Sequence, residues 1–543
     1  MSNQVAIGYS AGMSANCAST IYIGCMAGAY NTNATGQSIF MGEQCGARNN
    51  GCYNIAMGKQ ALNGWTGDAT MRAGDANVAI GYQCALRHNG HNNVFIGSYC
   101  GNQAVSVPHA TTHYNTCVGS YAGRSLNQTQ GNTFIGYHAG FYHNNPGTDL
   151  GYNTCVGYSS GQNISSGYSN TYMGYNSGFS TTSGYRNIAI GPNALYALTT
   201  ENNSIAMGFD AGRNALGGQN IMIGCGAGKC DNGGGSGHNN IIMGQRAGFV
   251  YTTGCENVMI GRNAGRFLTT GNRNVFLGRN AGYSNTTGYN NTCVGYYAGY
   301  NITSGYQNTC IGYGAGASIN TGDENTCVGR DAGRGMTTGE SNVYLGHNAN
   351  YYTTTGKYNI AIGRHSGCTN GTGGSEGDCK LYIGMNSVPG VTNTYGDSSY
   401  IYGYMKMNDN PYLRVNGKLG IGCTPTCGLE LPDEASARSG IKFGRFMGAG
   451  YREHFPTGEV YASFSTDNHG SFTIGSNCHM DTNNCIKYNN THGTMCGPAI
   501  CMPGNAQAHQ GSIIFYTADP QSVTAGNTFR QIGNTPTMHL DHN

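Results

Sequence analysis

A short repeat recurs along the first 388 residues of this 543-residue chain and leaves few folds open. Each copy varies on the pattern Asn–(Val, Ile or Thr)–x–(Ile, Val, Leu or Met)–Gly–x–x–(Ala, Ser or Cys)–Gly, and we name its first glycine the pivot. There are 22 pivots, and from Gly244 to Gly363 every spacing is 17 residues. A constant short period is typical of a solenoid, in which each coil packs only on its neighbours.

The length and pattern of the repeat indicate β-structure. Seventeen residues suffice for two short strands and two turns but not for a pair of helices, and the apolar residues do not recur at steps of three and four. We therefore predict an all-β chain, a trimeric β-solenoid (β-roll) of about 22 coils with a 17-residue repeat, followed by a β-rich C-terminal tip. The trimeric state follows from the interface and resemblance described below.

Residues on both sides of the strand have predictable roles. The flanking positions, one and three residues before the pivot, are aliphatic or β-branched, and we expect them to fill the lumen because alternate residues of a strand face the same way. The pivot itself is expected to adopt a backbone conformation that a side chain would forbid. The pivots of the most regular stretch are Gly261, Gly278, Gly295, Gly312, Gly329, Gly346 and Gly363.

The middle position, two residues before the pivot, is apolar in all 22 copies. A strand that is apolar on both faces is buried on both faces. With the flanking positions assigned to the lumen, the middle position would face outward, and a second chain alongside is the simplest cover for it. The residues predicted to line this trimer interface are Phe40, Phe95, Phe134, Tyr172, Met259, Phe276, Cys293, Cys310, Cys327 and Tyr344.

Asparagine occupies the position four before the pivot in 17 copies. Stacked amides can form hydrogen bonds along the axis of such a rod, as in cross-β ladders, so we predict a structural Asn ladder rather than a metal or sugar site. Its most regular members are Asn257, Asn274, Asn291, Asn308, Asn325, Asn342 and Asn359.

Composition and motifs give little sign of chemistry. Only 10% of residues are charged and the net charge is +2, which argues against nucleic-acid binding, and no apolar run is long enough to predict a membrane span. No nucleotide-binding loop or zinc-protease motif occurs, so we expect neither an enzyme nor a cofactor. Weak metal candidates are His539 and His542, which a trimer would bring near its axis.

The repeat ends near residue 388, and the pattern then changes to short alternating strands with turns. We predict a repetitive shaft over 1–388, a linker over 389–399, a β-hairpin neck over 400–430 and a β-rich C-terminal domain over 431–543.

Two parts of the chain resemble known families. The Asn-Val-Ala-Ile-Gly unit at 77–81 and its relatives at 187–191 and 359–363 resemble the head repeats of trimeric autotransporter adhesins, which are trimers of left-handed β-rolls. Residues 412–425 are similar to V-x-G-x-x-G-I-G-T-x-P segments of phage and algal-virus tail-fibre proteins, and residues 511–541 resemble a second unit of those fibres. The resemblance implies a homotrimer and a viral fibre.

These observations predict a structural fibre of a virus particle that projects outward and engages host cell-surface glycans by many weak contacts. Its partners would be two further copies of itself, other virion proteins and those glycans, and it would be assembled in the host cytoplasm and displayed on the virion surface. The alternatives are a bacterial trimeric surface adhesin or extracellular filament subunit, a spacer without a receptor, and a tailspike depolymerase. For the depolymerase, the weak candidate carboxylates are Glu453, Glu459 and Asp467.

Overall fold

A computed structural model describes residues 3–16, 18–31, 36–64, 74–102, 112–143, 151–231, 233–368 and 378–384, and the strands that lie between 401 and 540. The chain divides into two compact units, of which the first contains Met1–Lys357 and the second begins at Tyr358. The described residues form strands, turns and irregular segments, without a helix.

Thirty-three strands are present in the described residues. They are β1 Val5–Ile7, β2 Ile21–Ile23, β3 Ile39–Met41, β4 Ile55–Met57, β5 Val78–Ile80, β6 Val94–Ile96, β7 Thr116–Val118, β8 Thr133–Ile135, β9 Thr154–Val156, β10 Thr171–Met173, β11 Ile188–Ile190, β12 Ile205–Met207, β13 Ile221–Ile223, β14 Ile241–Met243, β15 Val258–Ile260, β16 Val275–Leu277, β17 Thr292–Val294, β18 Thr309–Ile311, β19 Thr326–Val328, β20 Val343–Leu345, β21 Ile360–Ile362, β22 Lys380–Ile383, β23 Ile401–Tyr404, β24 Tyr412–Val415, β25 Leu429–Glu430, β26 Lys442–Gly444, β27 Val460–Thr466, β28 Phe472–Gly475, β29 Cys478–Met480, β30 Ile486–Tyr488, β31 Ala499–Met502, β32 Ile513–Tyr516 and β33 Pro536–Leu540.

The first unit is a parallel β-solenoid of about 20 turns with a spacing of about 17 residues. Each strand from β1 to β19 pairs in parallel with the next, as in the register Phe276↔Cys293↔Cys310. Each coil contributes one three-residue strand and closes through turns, rather than containing the two strands expected from its length. At about 4.8 Å per coil, twenty coils extend about 95 Å.

The pivots lie where coils approach most closely. All seven pivots named above have φ between +120° and +136°, a region that favours glycine. A Cβ on Gly278 would also lie 2.5 Å from the carbonyl oxygen of Gly295 in the next coil. The pivot is therefore required both by the backbone conformation and by the contact between successive coils.

The asparagines form a continuous buried ladder through the regular part of the first unit. Asn291 Oδ1 accepts hydrogen bonds from the backbone nitrogen of Asn308 at 3.0 Å and from its Nδ2 at 3.1 Å. Asn308 Nδ2 also donates to the carbonyl oxygen of Gly322 at 2.8 Å. Each amide thus joins the start of its own strand to the preceding coil and to the turn of the following coil, which satisfies its polar atoms inside the rod.

The second unit begins with β21 and β22, which pair in parallel, while β23 and β24 extend from β22 as antiparallel strands. Farther along the chain, a seven-stranded antiparallel sheet has the order β25-β26-β27-β28-β31-β32-β33, and β29 pairs with β30. The predicted linker, 389–399, lies outside the described residues, and the predicted domain boundaries stay predictions.

Candidate functional site on the outward strand face

The middle position of strands β2 to β20 is buried and faces the lumen, opposite to the sequence-based assignment. Of the ten residues predicted to line a trimer interface, none is more than 1% exposed within a single chain. They therefore cannot contact another chain, and that prediction is wrong in its choice of face. The ten are Phe40, Phe95, Phe134, Tyr172, Met259, Phe276, Cys293, Cys310, Cys327 and Tyr344.

The physical reason is the space inside the coil. Alternation gives two faces per strand, and when both are apolar the pattern does not distinguish inside from outside. The glycine four residues after the pivot makes the distinction, because a Cβ on Gly282 would lie 2.5 Å from the Phe276 ring. A large middle side chain therefore fits only where the opposite turn leaves a space for it.

In two coils a small middle residue is compensated by a large residue of the same coil. Where the middle position is Ala56 or Ala189, the position four after the pivot holds Leu62 or Leu195 instead of glycine, and both leucines are buried. The two positions thus share one volume, as closely packed interiors require. Of the six coils with alanine at the middle position, these two alone show the exchange, so the sequence by itself does not assign the middle position to the lumen.

The three in-register cysteines of β17, β18 and β19 lie fully buried in the lumen as free thiols. Hydrogen bonding to the Cys310 sulfur, together with burial, raises the pKa of Cys293 and Cys327 well above the ordinary thiol value. Fully buried cysteine side chains of this size act as small apolar fillers.

The flanking positions form the outer surface of the strands. In the first unit every flanking residue is half-buried or exposed, and side chains such as Met173, Ile260 and Ile311 are 37–43% exposed. Because the strands are parallel and in register, these residues make two continuous columns, which we name the outward strand face. Its more exposed members also include Val5, Ile7, Ile55, Met57, Ile96, Ile135, Met207 and Ile241.

The outward strand face carries no charged residue along β1 to β20, because its two columns contain only aliphatic residues and threonine. If each coil exposes on the order of 60 Å² of apolar surface there, twenty coils expose about 1,200 Å². A typical stable protein interface buries about 800 Å² per partner. In soluble proteins, contiguous apolar surface of this size marks an interaction site.

Next to this face, positions one, two and five after the pivot form a second surface, which we name the turn edge. Its tyrosines stack from coil to coil: Tyr158 lies 5.2 Å from Tyr137 and 5.4 Å from Tyr175, measured between ring centroids. The faces of these rings contact neighbouring rings, so solvent meets their edges. Such ladders brace successive coils, and they offer sugars few free ring faces on which to stack.

The remaining chemical candidates lie largely outside the described residues. His539 belongs to β33, while His542 and the carboxylates Glu453, Glu459 and Asp467 fall on residues that the structure does not describe. Within the described ranges no three His, Cys, Asp or Glu side chains gather as metal ligands do. In the same ranges there is no helix with the length and apolar character needed to cross a bilayer.

Comparison with known proteins leaves the chain without an assigned family. No protein-family model matches it, and no match was found among curated proteins or solved structures.

Proposed function

We propose that this chain is the shaft subunit of a homotrimeric fibre that projects from a virus particle and engages glycans on the host surface. The observation that carries the proposal is the outward strand face, since a continuous, uncharged, partly exposed aliphatic surface along twenty coils marks an interaction site. Three copies with this face turned toward a common axis would bury it along the whole first unit.

The fold suits a mechanical role. A rod of stacked coils holds its ends far apart while each coil contacts only its neighbours. A parallel trimer would display every surface loop three times at the same height, so that weak contacts with a glycan-covered surface add by multivalency. The viral attribution rests on the tail-fibre resemblance of residues 412–425 and 511–541.

The decisive test is the mass of the full-length protein in solution. We expect sedimentation equilibrium to give three times the chain mass of 57.1 kDa and electron micrographs to show rods. A stable, soluble single chain at micromolar concentration would overturn the proposal. Antibody labelling of purified virus particles, seen by electron microscopy, then tests whether the rods project from the virion.

A pair of variants identifies the interface. Ile260→Glu combined with Ile311→Glu places charges on the outward strand face, and we expect dissociation to folded single chains that keep a β-type circular dichroism spectrum. The matched control, Thr270→Glu with Thr321→Glu, adds the same charges at exposed residues of the turns before β16 and β19 and should remain trimeric. Equal behaviour of the two variants would place the interface elsewhere.

A further inference from the structure

One stretch of the turn edge concentrates positive charge around a single aromatic ring. The Phe249 ring has three cationic groups near its centroid: Lys229 at 5.4 Å, Arg266 at 5.6 Å and Arg246 at 5.7 Å. These cations come from three successive coils. Each cation is attracted to the π-electrons of the ring. Three cations in one place also repel each other, and a bound anion would relieve this repulsion.

Most of this charge is not neutralised by the protein. Lys229 forms ion pairs with Asp210 at 3.6 Å and Asp231 at 3.1 Å. By contrast, four arginines on the same edge have no ion pair with any of the described residues. They are Arg246, Arg262, Arg266 and Arg279. We name these four the arginine row.

Two members of the row share one column along the axis of the rod. Arg262 and Arg279 occupy the same position in adjacent coils, about 4.8 Å apart along the axis. Both are exposed, as is Arg246. Arg266 is half-buried, and its Nε is a buried nitrogen without a hydrogen-bond partner. Guanidinium groups in line present planar donor pairs to a series of carboxylates or sulfates.

The aromatic neighbours select against nucleic acid as the anion. Single-stranded nucleic acid binds by stacking its bases on free ring faces, whereas the rings here are covered by guanidinium groups or by one another. Arg266 lies 5.3 Å from the Phe267 ring and 5.8 Å from the Tyr283 ring, and Arg279 lies 5.5 Å from the Tyr296 ring. A linear chain with regularly spaced negative groups suits this geometry better.

We propose that the arginine row is a binding site for an acidic polysaccharide, whose carboxylate or sulfate groups it binds along the side of the rod. The inference rests on the proposed glycan-engaging fibre and names the chemical class of its glycan. Three parallel copies would present the row three times, so that modest affinity per site becomes strong attachment.

The test measures binding of the full-length protein to immobilised polyuronate, sulfated polysaccharide and neutral dextran, with single-stranded DNA as competitor. We expect binding to the polyuronate or the sulfated chain, or to both, that weakens as salt is raised, and none to dextran. Binding to dextran as strong as to the charged polymers would overturn the inference, and so would DNA that competes as well as the acidic polysaccharide.

Variants connect the binding to the row. Arg262→Gln with Arg279→Gln should weaken polysaccharide binding at least about tenfold, since each removes a charge-assisted contact. The control is Arg273→Gln: this exposed arginine lies between them in the sequence but is paired with Glu256 at 2.9 Å, and its loss should change binding less than about twofold. Equal losses in both variants would contradict a specific site.

Sedimentation of the same samples separates the two proposals. A trimer that binds only neutral glycans, or none, removes the acidic-polysaccharide site and leaves the fibre standing. A single chain in solution removes the trimeric fibre, whatever the polysaccharide result.

Discussion

The inner and outer faces of the same strands follow different rules. The middle position, which faces the lumen, ranges in size from alanine to tyrosine, while the flanking positions on the outside are almost uniformly Ile, Val, Leu, Met or Thr. Inside, the size of the middle side chain varies with the residue opposite to it, as the pairs Phe276–Gly282 and Ala189–Leu195 show. Outside, the side chains keep nearly one size along twenty coils.

The difference shows what each face has to match. A lumen residue contacts its own coil and two neighbours, so a large residue can be balanced locally by a small one. On the outer surface no side chain of the same coil lies opposite the flanking residues, so their size is not set by a neighbour within the chain. Their uniform size suits contact with another long surface. Apolarity alone therefore does not tell the two faces apart, whereas the pattern of size variation does.

The largest expected effect comes from emptying the lumen at one coil. Phe276→Ala should lower the free energy of unfolding by about 3–5 kcal/mol, because the cavity cannot close. Adding Gly282→Leu should restore a large part of this loss by copying the Ala189–Leu195 arrangement. Guanidinium titration followed by circular dichroism, at one protein concentration, measures both. A Phe276→Ala loss no larger than that of the exposed Thr270→Ala would contradict the lumen placement.

The next effect concerns the Asn ladder that borders the strand. Asn308→Ala removes two bonds donated by Nδ2, to Asn291 Oδ1 and Gly322, and two accepted from Asn325. We expect a loss of about 3 kcal/mol from the unpaired buried groups. Asn308→Ser should cost less, because Ser204 at the same position of its coil still accepts a bond from the Asn220 nitrogen at 3.4 Å. The same titration measures both, and equal losses would contradict a role for the side-chain oxygen.

Lowering the pH should reduce the stability of the fold through the histidines buried on its inner face. Burial lowers the pKa of His88 to about 3, with His91 and His113 adding to the shift, and burial lowers the pKa of His143 to about 4. Because the unfolded chain binds these protons below about pH 6.5 and the folded chain does not, stability is full above that pH and falls as pH decreases. At pH 5 we expect about 2 kcal/mol lost per histidine.

Thermal unfolding between pH 7 and pH 5 measures this loss. His143→Leu should reduce the loss of stability between pH 7 and pH 5 by about the contribution of one histidine. His238→Leu, at an exposed residue, should leave the loss unchanged. An acid profile that is identical in the two variants would show that the buried ring is not the group that titrates.

The smallest effect is a gain. Asn285 is fully buried, and both polar atoms of its amide lack a partner among the described residues. The equivalent positions of the neighbouring coils hold Leu268 and Ile302. Asn285→Leu should therefore raise the unfolding free energy by about 1–2 kcal/mol. Asn291→Leu, at a ladder position, should lower it, and a loss in both would reveal an unrecognised role for the Asn285 amide.

Much of the fold could be predicted from the sequence because each feature has a local cause. The pivots were identifiable since only glycine tolerates φ near +130° against the next coil, as at Gly278. The Asn ladder was identifiable since a buried amide repeated every 17 residues must bond to its own copies. The presence of only one strand in each coil could not be predicted, because the rest of the repeat contains no residue pattern that excludes a second strand.

The candidate site was harder to predict than the fold. Neighbouring positions such as Arg262 and Arg279 could be aligned from the period, but the approach of Lys229, Arg246 and Arg266 to one ring depends on how the turn folds. Arg246 lies two residues after its pivot, whereas Lys229 and Arg266 lie five residues after theirs. Their spacing in the sequence does not show that they are close in space. That contact arises only from the backbone path of the turn.

The repeat pattern alone specifies the period, the number of coils, the glycine pivots, the axial amide ladder and the presence of two apolar strand faces. Which face encloses the lumen came only from the tertiary structure. The physical reason is that alternation along a strand is symmetric between its two sides, whereas the volume enclosed by a closed coil is not.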